Sequence, residues 1–278
     1  MGKWADGKAL SNKSWGLLKE NKYFLWFPII GFLLALIPFL VFGGGALVLA
    51  VEEINLWAIV VAALGLIFIN LSFTISGAAL VAAVDEELAG RDSSLGHGFG
   101  KAFGRIGALF LWSLIQAAVS ALLGLLRGNN NGGAAIAGNL LAAIGAAAWS
   151  IVTLFVTPFI MLQGQGAIQA LKSSVSMVKE KWGTQVTGGI RIGLRLLIIV
   201  LPAIALIIGG IYLLSGTGAS VSLGLVLLGI GILLFMVSAV LGNALRSIFS
   251  VALFHFTTGE GSYGPFTAQE LEGVLKKK

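Results

Sequence analysis

Hydroxyl and amide side chains set inside long apolar runs are the residues of this chain best placed to do chemistry. In one run Ser113, Gln116, Ser120, Gly124 and Arg127 recur at i, i+3, i+7, i+11 and i+14, which is one face of a helix. Asn70, Thr74 and Gly77 share a face in the run before it, and Ser150, Thr153 and Thr157 in the run after it. Asn243 stands in the last run. Together these form a candidate polar interior for a helical bundle. Such groups line a water-accessible path when they face one another across helices. They also serve simple interhelical hydrogen bonding, worth about 0.6 kcal/mol per bond on average. Spacing alone leaves both uses open, and packing is the simpler one. A carboxylate or basic residue in mid-run would mark a transport path more strongly, and the runs offer none. Arg191, Arg195 and Arg246 fall near run ends. Long cationic side chains there snorkel to the headgroups or gather an anionic one.

Other chemistries find less support. There is no Cys, so disulfides and thiolate metal sites are ruled out. His97 and His255 are the two histidines, and they cannot make a metal site alone. No metal or other cofactor is expected. Asp85-Glu86-Glu87 with Arg91 could be taken for acid–base machinery, but it fits a solvated helix end with an ion pair. GHGFGKAFG (96–104) resembles a nucleotide loop only superficially, because a dinucleotide fingerprint needs a preceding strand and a βαβ unit. Its glycines point to close helix packing or an interfacial hinge. No catalytic residue is assigned, and the chain is expected not to be an enzyme.

The elements that must position these residues follow from composition. The chain is 57% hydrophobic and 11% charged, against about 25% charged in a soluble domain. Mean hydropathy is +0.96. The expected class is an all-α polytopic membrane bundle. Its 39 glycines suit helices that approach closely. Six apolar runs, 23–51, 56–84, 106–126, 134–162, 190–214 and 221–256, each suffice to cross a bilayer, for which about 20 residues are needed. Pro28 and Pro38 should kink the first run, and Gly43-Gly44-Gly45 should end it. The last run is too long for one span, so the part after Arg246 should leave the bilayer or bend along its surface.

Between the runs lie polar segments with helical stripes. In AIQALKSSVSMVKEKW (167–182), Ile168, Leu171, Val175, Val178 and Trp182 share a face, with Lys172, Lys179, Glu180 and Lys181 elsewhere on the wheel. Ser14–Lys22 lines up with Ser174–Trp182: the serines coincide, as do Leu17 with Met177, Leu18 with Val178, and Lys19-Glu20 with Lys179-Glu180. Each copy stands just ahead of an apolar hairpin. The expected plan is three repeats of a cytoplasmic interfacial helix followed by a transmembrane hairpin, about 1–84, 85–162 and 163–257, then a tail, 258–278. Trp15 and Trp182 should anchor at the interface, with Lys19, Lys172, Lys179, Lys181, Arg191, Arg195 and Arg246 near lipid headgroups. The 167–182 helix should lie along the membrane face and turn near Gly183. The alternative is a straight extension of a neighbouring span.

Seventeen of the 18 Lys and Arg fall on one side of this layout, and Arg127 alone falls on the other. Both termini should therefore be cytoplasmic, in the cell (inner) membrane. The net charge of +6 reflects this topology rather than a nucleic-acid partner. The N-terminus does not have the form of a cleavable signal.

KSWGLLKENK leading into FPIIG, ALKSSVSMVKEKWG in mid-chain and ALRSIFSVALFHFTTGEGSYGPFTAQEL near the end carry a resemblance. With these motifs the chain resembles an uncharacterised prokaryotic family of six-helix membrane proteins. That family is similar in organisation to the membrane domain attached to some glycerophosphodiester phosphodiesterases. The resemblance implies the fold and a bacterial or archaeal membrane. It implies no reaction, since the soluble phosphodiesterase domain and its acidic metal ligands are not in this sequence. The expected function is the first of two readings and the second is its alternative; a membrane-embedded hydrolase, without Cys, a usable His pair or a mid-span carboxylate, is the weakest. The first is a non-enzymatic membrane-organising or partner-binding protein, holding anionic lipid on its amphipathic helices and assembling as a homo-oligomer. The second is a channel or carrier with kinked helices around a polar path. A dry bundle would favour the first, and a polar tunnel the second.

Overall fold

The computed structural model describes residues 3–50, 55–127, 133–182, 187–214, 219–259 and 264–266. Side chains are described within 11–50, 55–126, 138–180, 196–214, 220–259 and 264–266. The described chain is helical with no strand. Six helical stretches are long and apolar enough to cross a membrane: Lys22–Leu49, Leu56–Leu88, Ile106–Leu126, Gly138–Leu162, Leu196–Leu214 and Ser220–Thr258. This is the expected all-α membrane class.

The helices are α1 (Lys3–Glu20), α2 (Trp26–Pro38), α3 (Gly44–Leu49), α4 (Leu56–Leu88), α5 (Leu95–Phe103) and α6 (Ile106–Arg127). They continue with α7 (Gly133–Val152), α8 (Val156–Leu162), α9 (Ala167–Trp182), α10 (Thr187–Leu214) and α11 (Ala219–Thr258). Caps set two of the starts. Asn55 accepts from the Ala58 N–H at 2.9 Å, and Ser94 accepts from the His97 N–H at 3.2 Å.

The first span does not end at its glycines as expected. It runs through a π-helical turn, Phe39–Gly43, directly after Pro38 and continues as α3 to Leu49. Pro38 has no N–H to give, and the wider turn absorbs the mismatch. In an apolar setting the glycine backbone must still pair internally, so helix persists where water would let it stop.

The apolar helices pack as chain neighbours: α2 and α3 on α4, α6 on α7, and α10 on α11. The polar-segment helices pack one step back. α5 precedes the α6–α7 pair but packs chiefly on α4. α9 precedes α10–α11 but packs on α6, α7 and α8. α1 precedes α2 yet packs on α10 and α11, so the arrangement closes on itself. The buried core lies at the end of the bundle where these three helices sit. There Leu17, Leu18, Phe24, Phe27, Ala78–Val84, Val156, Ile160 and, on α11, Ala244, Leu245, Ile248, Phe249 and Val251–Phe254 form one apolar cluster. Toward the other end large side chains such as Leu40, Val48, Leu56, Leu125, Ile198 and Leu233 are exposed. A lipid-facing surface needs that pattern.

α11 has 40 residues, about 60 Å of helix. It is continuous helix through Arg246 to Thr258. Ala244, Leu245, Ile248, Val251, Ala252 and Leu253 are fully buried. The excess length is used as the centre of the core, where neighbouring helices replace the lipid. His255 Nε2 lies 2.6 Å from Asp85 Oδ1 and ties the end of α11 to the end of α4.

Glu86 is buried, contrary to the solvated helix end expected from sequence. It pairs with Arg91 and Lys101, and His97 Nε2 lies 3.4 Å away. These partners fasten α5 across the end of α4. The glycines of α5 do serve close packing. A Cβ on Gly98 would lie 2.6 Å from the Ala79 carbonyl oxygen and 2.8 Å from the Phe27 ring.

α9 is not an extension of α8. The chain turns between them at Gly164, whose φ is +69°, a backbone state costly for other residues. The turn expected near Gly183 lies outside the described residues. The buried face of α9 also differs from expectation. It is built on Ala167, Ala170 and Ser174, while Ile168 is exposed and Leu171 and Val178 pack at its margin. Small side chains win this face because α9 sits close against the break between α7 and α8.

Candidate functional site

That break is where the site begins. α7 stops at Val152 and α8 restarts at Val156. Pro158 fixes the position, since its ring crowds the carbonyl of Leu154 and it has no N–H to donate. Ser174 Oγ donates to the Val152 carbonyl at 2.6 Å and accepts from the Phe155 N–H at 3.2 Å. A helix interrupted within an apolar bundle needs such outside partners.

Beside the break lies a polar cavity of about 330 Å³. α4 lines it with Asn70, Phe73, Thr74, Gly77 and Val81, and α6 with Trp112 and Gln116. The fourth span gives Trp149, Ser150, Thr153, Leu154, Thr157 and Pro158. α11 gives Asn243, Arg246, Ser247 and Ser250. The second, fourth and sixth spans thus contribute in one register: Asn70–Thr74–Gly77, Ser150–Thr153–Thr157 and Asn243–Ser247–Ser250. Each set covers two helical turns on one face. The cavity falls in the central part of α4 and of the fourth span, and past the middle of α11.

The internal bonding is local. Gln116 Nε2 donates to Thr74 Oγ1 at 3.4 Å. Thr153 Oγ1 donates to the Trp149 carbonyl at 2.7 Å, and Asn70 Nδ2 to the Leu66 carbonyl at 2.8 Å. Asn243 Nδ2 donates to the Ala239 carbonyl at 3.1 Å, and Ser250 Oγ to the Ser247 carbonyl at 2.9 Å. Trp112 and Trp149 stack at 5.9 Å on one wall.

Arg246 stands in the apolar stretch Ser220–Thr258 and lines the cavity, with part of its side chain exposed. Its Nη2 donates to Ser150 Oγ at 2.7 Å and to the Ser150 carbonyl at 2.8 Å. These bonds tie α11 to the fourth span.

Of the other candidates, Asn70, Thr74, Gln116, Ser150, Thr153, Thr157 and Asn243 meet in the cavity. Ser113 and Ser120 do not. Ser113 is buried and donates to the Phe110 carbonyl at 2.7 Å, while Ser120 is exposed. Ser247 and Ser250 were not singled out, although their spacing from Asn243 repeats the pattern on the other two helices. Trp15 packs at the edge of the core, and Lys19, Lys172 and Lys179 are exposed. The side chains of Lys181, Trp182, Arg191 and Arg195 lie outside the described residues. Among the described residues no group of His, Asp and Glu is placed to hold a metal ion.

No curated protein and no solved structure matches the chain. The expected kinship with the membrane domain of glycerophosphodiester phosphodiesterases thus has no match behind it. A family model covers residues 57–264, from the start of α4 to beyond the end of α11, and so takes in every cavity-lining residue. On that match the chain, a multi-pass membrane protein by its helices, belongs to DUF6159, a family of unknown function.

Proposed function

We propose that the protein binds a small polar solute between its spans and acts as a carrier or channel. One observation carries this: the second, fourth and sixth spans turn matched polar faces onto a single cavity. A bundle made only to organise lipid has no use for that. Polar groups in an apolar setting are costly unless satisfied, and a cavity among them offers room for water or ligand. A helix broken beside the cavity adds support, since broken helices border the sites of transporters.

The symmetry of the packing supports three repeats. Each polar-segment helix rests on the preceding hairpin, and α1 completes the ring on the last. In this reading the basic end faces the cytoplasm, following the charge bias. Binding and passage, not bond-making, are its chemistry. Among its described residues the cavity lining carries neither carboxylate nor imidazole to move a proton.

Solvent access tests the proposal. The chain has no Cys, so Thr153→Cys or Ser247→Cys gives a single thiol on the wall. In reconstituted vesicles a small neutral methanethiosulfonate should label these thiols but not one at lipid-facing Leu233. Absence of labelling at both wall positions would refute a wet cavity.

A further inference from the structure

The charge in the cavity is unbalanced. Arg246 is the one charged residue among the described lining. It donates to the Ser150 hydroxyl and carbonyl, which are neutral. No carboxylate pairs with it among the described residues. A guanidinium carries five N–H donors and no acceptor, and two bonds to Ser150 use the hydrogens of Nη2 alone. Part of the Arg246 side chain is exposed, so its remaining donors are open to a ligand entering the cavity. Arg91 and Lys101, by contrast, share the carboxylate of Glu86. A mere lock between α7 and α11 could be made from neutral groups at lower cost. The neighbours of Arg246 fit a different purpose. Thr153, Thr157, Ser247 and Ser250 have hydroxyls that can turn toward a ligand, and Asn243 adds an amide. Arginine with hydroxyl donors and no acidic group recognises an oxyanion.

We propose that the cavity beside Arg246 is a site for an oxyanion, the phosphate or carboxylate group of a small solute or of a lipid headgroup. This rests on the reading of the cavity as a binding site and adds the sign of the ligand's charge. Arg246 supplies the charge and the fork of donors, and Ser150 holds that fork in place. The serine and threonine hydroxyls complete the shell.

Charge-selective labelling separates this claim from the one beneath it. Thr157→Cys places a thiol on the wall at a residue that makes no described side-chain bond. The full chain is reconstituted and treated with neutral, anionic sulfonatoethyl and cationic trimethylammonioethyl methanethiosulfonates. Rates are divided by those for a free thiol. The anionic reagent should exceed the cationic one by at least about tenfold, the low end of what a focused field gives. Arg246→Lys should keep most of that preference and Arg246→Gln should lose it, each checked for monodisperse elution. The decisive comparison needs only native Arg246, so a misfolded variant does not spoil it. Millimolar inorganic phosphate protecting the thiol in phosphatidylcholine vesicles identifies a free anion as ligand. Protection only when phosphatidylglycerol is included identifies a lipid headgroup. Neutral labelling with no charge preference and no protection by either overturns the anion site and leaves the cavity standing. No labelling by the neutral reagent overturns both.

Discussion

Ser174 of α9 closes the break in the fourth span by donating its hydroxyl hydrogen to the Val152 carbonyl at 2.6 Å. The same oxygen accepts the Phe155 N–H at 3.2 Å. One side chain from outside the span thus replaces helix bonds lost ahead of Pro158. Thr153 and Leu154, on the cavity wall, lie between the two bonded residues. The shape of the wall therefore depends on the docking of α9.

Ser174→Ala should lower stability by about 1–3 kcal/mol, the cost of leaving a buried backbone group without its partner. Thermal unfolding of the purified protein reads this directly. An unchanged midpoint would mean that the break repairs itself by local rewinding.

Two glycines of α5 should respond in opposite directions. Gly98→Ala drives a methyl group to 2.6 Å from the Ala79 carbonyl oxygen. That oxygen belongs to helix backbone and cannot swing away, so the change should cost about 1–3 kcal/mol. Gly100 has nothing within 4 Å of the same added atom. Gly100→Ala should stabilise by about 0.5–1 kcal/mol through helix propensity alone. Melting both variants side by side checks the claim, and equal shifts would contradict the packing of α5.

Much of this was legible in the sequence, and the misses have physical causes. Long apolar runs specify six spans, because an unpaired backbone cannot persist in hydrocarbon. The polar faces of the second and fourth spans stood out against apolar surroundings, and both line the cavity. The bond from Arg246 to Ser150 was not legible, because spacing along α11 does not say which helix faces it. The face of α9 was misjudged because the periodicity of large apolar residues draws the eye to Ile168. The tight contact instead selects Ala167, Ala170 and Ser174. Glu86 could be seen beside Arg91, but Lys101 arrives only once α5 folds back over α4.

Glu86→Gln should cost about 1–2 kcal/mol. Arg91 and Lys101 are 60% and 43% exposed, so solvent screens part of what a fully buried network would lose. The loss should concentrate at α5. Limited proteolysis between Ala89 and Ser94 should speed up while cleavage elsewhere stays constant. A uniform increase would mean that Glu86 supports the whole bundle instead.

The charge bias makes a direct topological prediction. Cysteines introduced at Asn130 and Lys277 should react with impermeant reagent from opposite sides of the membrane. Reaction from one side would be incompatible with six spans.

Ring closure predicts an effect distant in sequence. Leu18 on α1 is 3% exposed and belongs to the same buried cluster as Ala244, Leu245, Ile248 and Val251–Phe254 of α11. If α1 covered only its own hairpin, damage to it would stay near the N-terminus. Because α1 packs on α10 and α11, Leu18→Asp should loosen the far end of the chain. A carboxylate forced into that apolar cluster either carries a heavy desolvation cost or expels the helix. Hydrogen exchange followed by mass spectrometry should show peptides within 244–254 exchanging at least about tenfold faster, an opening free energy lower by roughly 1.4 kcal/mol. Peptides from α6 and α7 should change least, since their covering helix is α9. Acceleration confined to residues 11–49 would show that α1 is a local cap, and the threefold reading of the bundle would go with it.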